Sequence, residues 1–249
     1  HTVIELLEVA QDPHLSVEVA GSRMTTWQAP FTPNYSIPAT REALAQWTDH
    51  GPSVSTGVTE SGIGYFRLAS LNPARAIDLF RGLSLIPQLF EGPGIIIDIR
   101  ENNGGAEHLA KAFAGMFVDT PVPYAQSIYR DENDPNQLTS PVVRTLYPTP
   151  YAPRFSGSVA TLSGRRVMSS AESLLLMLKQ IPKGRVFGDT TRGSSGNPKK
   201  RALGNDVAVH LPSWIATDAQ GTPIEGVGIA PDETVATRPE DFESKDDPV

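Results

Sequence analysis

Apolar residues recur at helical spacing over the first ten positions, at Val3, Ile4, Leu6, Leu7, Val9 and Ala10, and then alternate at Leu15, Val17 and Val19. The spacing predicts a short helix ended by Pro13, then a strand, with His14 at the junction beside Asp12. From Ser22 to Ser61 the chain is rich in Pro, Thr and Gly, with one predicted helix at Ala39–Trp47. Gly62–Ala69 reads as a strand. A helix is predicted over Pro73–Phe90, with Ala76, Leu79, Phe80, Leu83, Ile86 and Leu89 as its buried stripe. Gly94–Arg100 is apolar at consecutive positions, the pattern of a strand covered by helices on both faces. A helix over Glu107–Phe117 follows. Residues 119–155 show little periodicity and read as an irregular arm or lid beside a cleft. Further strands are predicted at Gly157–Leu162, Arg185–Gly188 and Asp206–Leu211. The alternation of strand and helix from residue 62 to 190 gives an α/β core with βαβ-type crossovers.

The organising stretch is Gly164–Gly193. A strand ends there, a sharp turn follows at Ser169-Ser170, and a helix runs to about Ile181 on the stripe Ala171, Leu174, Leu175, Leu178 and Ile181. Ser169 precedes the first helical turn, where unpaired N–H groups and the positive end of the helix favour an activated hydroxyl. Glu172 lies three residues on, so the same S-x-x-E spacing also fits a capping box, in which the serine only satisfies helix N–H groups. A second turn, Asn102-Asn103-Gly104-Gly105, links a strand to a helix and exposes N–H groups able to hold an anion. No Lys-Ser/Thr follows these glycines, so the nucleotide-binding signature is absent.

Composition narrows the function classes. The chain has 249 residues and a formal net charge of −7, which argues against a nucleic-acid surface. Lys199-Lys200-Arg201 is the only basic cluster, and its Gly/Ser/Pro surroundings predict a solvated loop. There is no cysteine, so disulfides, thiolate catalysis and thiolate metal sites are excluded. No apolar run reaches the ~18 residues of a membrane span, and no H-E-x-x-H or similar spacing predicts a metal site. No cofactor is expected. The sequence opens at His1 in an apparent mid-helix and stops at Ser244-Lys-Asp-Asp-Pro-Val249, which reads as the lead-in to a further helix.

Three segments in this order resemble the C-terminal processing peptidase and tricorn-core family of serine proteases. They are Gly94–Gly105, ending D-x-R-x-N-x-G-G; Ser169–Glu172 with the strand ending Gly188-Asp189; and Glu225–Asp232, E-G-x-G-I-x-P-D. The resemblance covers most of residues 62–235 and extends more weakly to D-x-H at Asp12–His14. It implies an α/β fold of the Clp-protease/crotonase type, a spiral of ββα units. Residues 1–61 would form an N-terminal helical and strand segment packed on a core of 62–249. By the resemblance alone, an extracytoplasmic or secreted location is expected. One branch of the family uses a Ser–Lys dyad with the lysine roughly 25 residues after the nucleophile. That position here is Ser194, so the dyad lysine is missing. About 45 residues separate His14 from Gly62, too few for a PDZ domain, since domains seldom fall below ~50 residues. Both departures match the tricorn-like branch, whose base is a histidine oriented by a glutamate.

Carried over residue by residue, the resemblance implies Ser169 as nucleophile, His14 as base and Glu225 as its orienting acid, with Ser170 as the rival nucleophile. The N–H of Ser170 and of Gly104 or Gly105 would form the oxyanion hole. Asp98 and Arg100 would be structural, pinning the Gly-Gly turn. The expected reaction is endopeptidase cleavage of a protein or peptide substrate through a Ser-His-Glu triad. The alternatives are a catalytically silent ligand- or peptide-binding module of the same fold, as in retinoid-binding proteins, and a crotonase-type acyl-CoA enzyme. His50, His108 and His210 compete with His14 for the role of base, His108 by standing just after the Gly-Gly turn.

Overall fold

The change of spacing at Asp12-Pro13 is where α1 (Thr2–Glu8) gives way to β1 (Ser16–Val19) in the computed structural model, which describes residues 2–27, 32–134, 136–238 and 241. His1 and the Ser244–Val249 segment lie outside the described residues. β2 (Ser22–Thr25) pairs back on β1. The helix expected at Ala39–Trp47 is shorter and earlier: α2 (Ile37–Glu42) starts on a Ser36 cap with Pro38 in its first turn. Trp47 instead lies in β3 (Gln46–Asp49), which forms a hairpin with β4 (Val54–Val58), so among its described residues this Pro/Thr/Gly-rich region holds three strands, β2 included.

β5 (Gly64–Leu68) follows as expected. The long helix predicted over Pro73–Phe90 is broken into a 3-10 turn at Pro73–Arg75, α3 (Ala76–Leu83) and α4 (Ile86–Leu89). Pro87 begins a new helix more readily than it continues one. The change of direction leaves Phe80 56% exposed while Leu79, Ile86 and Leu89 stay buried. β6 (Gly94–Asp98) and α5 (Glu107–Ala114) match their patterns. The arm over 119–155 is more regular than its sequence suggests. β7 (Val122–Ile128) and β8 (Val142–Leu146) pair antiparallel, with a register shift at Pro123–Ala125 that accommodates the missing proline N–H. β9 (Ser158–Ser163), α6 (Ser170–Leu178) and β10 (Gly184–Gly188) form the central unit. The basic cluster expected in a loop is an exposed edge strand, β11 (Lys199–Gly204), paired to β12 (Val207–Leu211). β13 (Ile215–Asp218) and the short β14 (Glu233–Thr234) complete the chain.

Three sheets result. The main one runs β14-β10-β9-β6-β5-β4-β3; it is parallel from β14 to β5 and antiparallel from β5 to β3. The sheet therefore runs on across residue 61 into the N-terminal segment. A four-stranded sheet, β11-β12-β1-β2, brings the N-terminal strand onto the C-terminal half, and a three-stranded sheet, β13-β7-β8, carries the arm. The core lies between the main sheet and α5 and α6, around Ile95, Ile97, Phe113, Leu174, Leu175 and Met177. Every residue of α6 from Ala171 to Leu178 is buried, as in a helix enclosed on all sides. Each fully buried Leu, Ile or Phe contributes about 1.5–3 kcal/mol, which anchors that helix firmly. Among the described residues no helix is long and apolar enough to cross a membrane.

The carboxyl ends of β6, β9 and β10 lie side by side and open into the three turns that hold the sequence motifs. Ligands of open parallel sheets bind beyond such strand ends. At the end of β6, the buried Asp98 carboxylate accepts from Tyr65 Oη at 2.8 Å and from Arg100 Nη2 at 2.7 Å. Arg100 also donates to Asn34 O at 3.1 Å, tying the strand end to the N-terminal segment. Burial pushes the Asp98 carboxyl up, but the Arg100 guanidinium and its hydrogen bonds outweigh it and hold the group below the usual range. Asp98→Ala leaves a buried guanidinium without its counter-charge, an expected loss of about 3–5 kcal/mol, read from the urea unfolding midpoint.

Candidate active site

Ser169 stands at the N-terminus of α6 with φ 58° and ψ −132°, a conformation a residue with a Cβ rarely adopts. Holding it there costs on the order of 1–3 kcal/mol, so the surroundings must enforce it. They do so visibly: Ser169 N donates to Ser194 O at 2.7 Å, and the Ser169 side chain makes no capping hydrogen bond. The capping-box alternative is therefore not what the S-x-x-E spacing encodes. Glu172 turns away from Ser169 and into the core. Its Oε1 accepts from Thr191 Oγ1 at 2.6 Å and Gly193 N at 2.7 Å; its Oε2 accepts from Ser194 N at 3.0 Å and Ser195 Oγ at 2.7 Å. Burial holds this carboxyl above its usual range, and the four donors pull it partly back.

The Gly-Gly turn lies directly against Ser169. A Cβ on Gly104 would meet Ser169 Cβ at 2.8 Å and Ser170 N at 3.1 Å, and both glycines have positive φ, 100° and 138°. Asn102, rather than Asp98 and Arg100, fixes this turn: its Nδ2 donates to Leu68 O at 2.9 Å and its Oδ1 accepts from Gly104 N at 2.9 Å. That bond occupies the Gly104 N–H. Of the two glycines named from the sequence, Gly105 keeps an N–H with no partner among the described residues, as does Ser170. Ser170 Oγ donates to Gly105 O at 2.7 Å and so braces the turn, which sets it apart from Ser169.

His14 reaches the same cleft from the other end of the chain. Pro13, His14, Gly105, Ser169, Ser170 and Trp214 are among the residues lining a cavity of about 510 Å³. The imidazole is buried, and its Nδ1 lies 2.6 Å from Ser194 Oγ, which in turn donates to Asp12 Oδ1 at 3.0 Å. Because Ser194 has one proton and Asp12 can only accept, this chain puts the imidazole proton on Nδ1. Nε2 is left as the free acceptor. Burial lowers the His14 pKa, Asp12 raises it, Arg23 lowers it, and the balance lies below the usual histidine value. No hydrogen bond joins His14 to Ser169 in this state. The competing histidines are occupied or turned outward: His50 Nε2 meets Thr56 Oγ1 at 2.8 Å, His210 Nε2 meets Glu18 Oε2 at 3.0 Å, and His108 is exposed on α5.

Glu225 does not touch the imidazole. Its carboxylate accepts from Ser195 N, with Gly196 N as a second backbone donor. Ser194 and Asp12 hold the position beside His14 that the sequence reading gave to Glu225. Ser194 is the residue found where the dyad lysine would be, so the position was marked in the sequence, but nothing there signalled a link to His14. Glu107, on the cleft wall, and Arg144, ion-paired to it from behind, were also missed, because they come from α5 and from the unrecognised β8. Among the described residues no group of His, Asp or Glu converges as a metal-binding set.

Comparison with known proteins gives the same architecture. The sequence model of Peptidase family S41 matches residues 62–235. The crystal structure of a candidate peptidase from Parabacteroides merdae superposes with a TM-score of 0.85 at 22% identity, covering 99% of this chain and 78% of that one. The photosystem II D1 C-terminal processing protease gives 0.56 at 20%, covering 86% and 51%. Mature CPAF gives 0.65 at 16%, covering 88% and 57%. The chain thus spans little more than half the length of the last two.

Burial, first, and the nearby Asp12 and Glu172 carboxylates push the Glu225 carboxyl up to about 7, against the pull of its backbone donors. Between the ordinary value near 4.5 and about 7, the folded protein binds more protons at this group than the unfolded chain, so its contribution to stability falls as pH rises through that window. Glu225→Gln abolishes the fall. The difference in urea midpoint, wild type minus variant, is expected to drop between pH 5 and pH 8, with the His14 contribution cancelling. An unchanged difference means that Glu225 titrates normally.

Proposed function

The chain belongs to peptidase family S41, and we propose that it is a serine endopeptidase whose nucleophile is Ser169 and whose general base is His14. The observation that carries this reading is the enforced backbone of Ser169, with a hydroxyl released from capping duty beside two unpartnered N–H groups. The core reads as a Clp-protease/crotonase-like spiral, since β5–α3/α4–β6, β6–α5–β9 and β9–α6–β10 each add a parallel strand through a helical crossover.

In the proposed reaction Ser169 Oγ attacks the scissile carbonyl carbon while His14 Nε2 takes its proton. The carbonyl oxygen becomes an anion, held by the N–H groups of Ser170 and Gly105. His14 then returns the proton to the leaving amine, and an acyl-enzyme remains on Ser169. Water, deprotonated by the same nitrogen, releases the acyl group. Nδ1–H stays on Ser194, with Asp12 behind it, which keeps the tautomer that leaves Nε2 free. Glu225 acts one step back as a positioning residue: it fixes Ser195 and Gly196, the backbone that follows Ser194. An Oγ–Nε2 link of about 2.6–3.2 Å, not made in this state, is expected to form with substrate bound, as such contacts are often long without it.

A fluorophosphonate probe tests the assignment. Labelling is expected at Ser169, absent in Ser169→Ala, and slowed by about 10²-fold or more in His14→Ala. Folded protein that takes no label favours the catalytically silent binding module. For a peptide substrate, the acidic limb of kcat/KM is expected to fall below the ordinary histidine pKa of about 6.5, since burial lowers His14. Asp12 raises that pKa, so Asp12→Asn moves the limb to still lower pH. A limb that shifts upward, or does not move, excludes His14 as the group titrating.

A further inference from the structure

The cleft does not end at Trp214. A second cavity of about 980 Å³, at the upper end of the roughly 300–1,000 Å³ typical of ligand sites, shares Asn197 and Trp214 with it. One wall is the β7–β8 hairpin with Leu138 and Val142; another is β11 and the link from β12 to β13, ending at Ile215. Leu138, Val142 and Ile215 are 51%, 50% and 39% exposed, so apolar side chains line an open groove. Along β11 the side chains alternate. Lys199 and Arg201 line this groove, while Lys200 lines a separate hollow and binds Glu18 Oε1 at 2.6 Å. Lys199 and Arg201 have no hydrogen-bond or ion-pair partner among the described residues. Two unpaired cations side by side in a chain of net charge −7 are a local reversal of sign. No ion pair joins them to the groove's own carboxylates. Asp131 and Glu132 lie on the hairpin, where Asp131 Oδ1 is taken by Asn133 N at 2.7 Å.

We propose that this groove is the outer part of the substrate site and that Lys199 and Arg201 select polypeptides carrying acidic residues a few positions from the scissile bond. The inference rests on the reading of Ser169 as nucleophile. The occupant is a segment of substrate chain because the groove is continuous with the Ser169 cleft. It takes apolar side chains against Leu138, Val142 and Ile215 and carboxylates against β11. Exposed charge contacts contribute only modestly, so the effect is a preference of about three- to tenfold rather than an absolute requirement.

Digestion of a proteome-derived peptide library, read by mass spectrometry, tests it. Asp and Glu are expected to be enriched about threefold or more at fixed positions on one side of the cut. The enrichment is lost in Lys199→Ala/Arg201→Ala and inverted towards Lys and Arg in Lys199→Glu/Arg201→Glu. For one acid-bearing peptide the alanine pair raises KM with kcat unchanged, and the Gln-for-Glu peptide responds to neither change. Cleavage without acid enrichment, or an equal loss for both peptides, overturns the proposal. If nothing is cleaved, the peptidase reading fails instead. The groove is then judged by fluorescence anisotropy of a labelled Glu/Leu decapeptide on the Ser169→Ala protein. Binding tighter than that of its Gln/Leu counterpart, and weakened by salt and by the alanine pair, supports it; equal binding overturns it.

Discussion

One buried carboxylate holds this site together. Glu172 lies in the first turn of the enclosed helix α6, and its two oxygens take four donors from residues 191–195. Burying an ion is unfavourable unless its hydrogen bonds are complete, and here they are. The loop so fixed does two things at once. Ser194 O receives the Ser169 N–H and so enforces the turn at the helix start, and Ser194 Oγ receives the His14 ring. The proposed nucleophile and base, 155 residues apart by subtraction of their numbers, are thus indexed to the same residue. Moving the loop would disturb both.

The remaining parts of the site are set by backbone geometry. Asn102 places the Gly-Gly turn by gripping Leu68 O and Gly104 N, and the absence of a Cβ on Gly104 lets that turn lie within contact of Ser169. A backbone N–H held this way needs no side-chain rearrangement as charge develops, which is what makes such donors effective. The three turns converge because they leave the carboxyl ends of adjacent parallel strands. The antiparallel pairing of β1 with β12 then delivers His14 to the same edge, since Ser16 is registered opposite His210.

Much of this was legible in the sequence where a pattern has only one structural solution. The consecutive isoleucines of β6, the apolar stripe of α6 and the paired glycines fall into that class. Where one spacing serves two structures, the sequence was ambiguous. S-x-x-E at Ser169–Glu172 fits a cap or an anchored carboxylate equally, and only the position of residues 191–195 separates them. β7, β8 and β11 were missed for a related reason: V-P-Y-A-Q-S-I is interrupted by Pro123, V-V-R-T-L and K-K-R-A-L-G lack a clean apolar–polar alternation, and they are strands because of the partners they meet. The Glu225 contact failed as a direct link because Ser194 and Asp12 stand in the way, and neither position carries a signature of its own.

The electrostatics around His14 suit a group that must take a proton only briefly. Burial alone would keep the imidazole neutral, and a base too reluctant to charge would be a poor one. Asp12 lies 3.7 Å from Nδ1, with Glu225 and Glu172 near enough to Asp12 and to each other to raise the Glu225 pKa. Asp12 favours the imidazolium once it forms, against the desolvation that disfavours it at rest. Glu225 adds a second feature, a carboxyl poised near 7 that accepts from Ser195 N in the loop that also meets His14. Asp12 is the neighbour the two groups share, and its charge raises the pKa of the imidazole and of the Glu225 carboxyl at once.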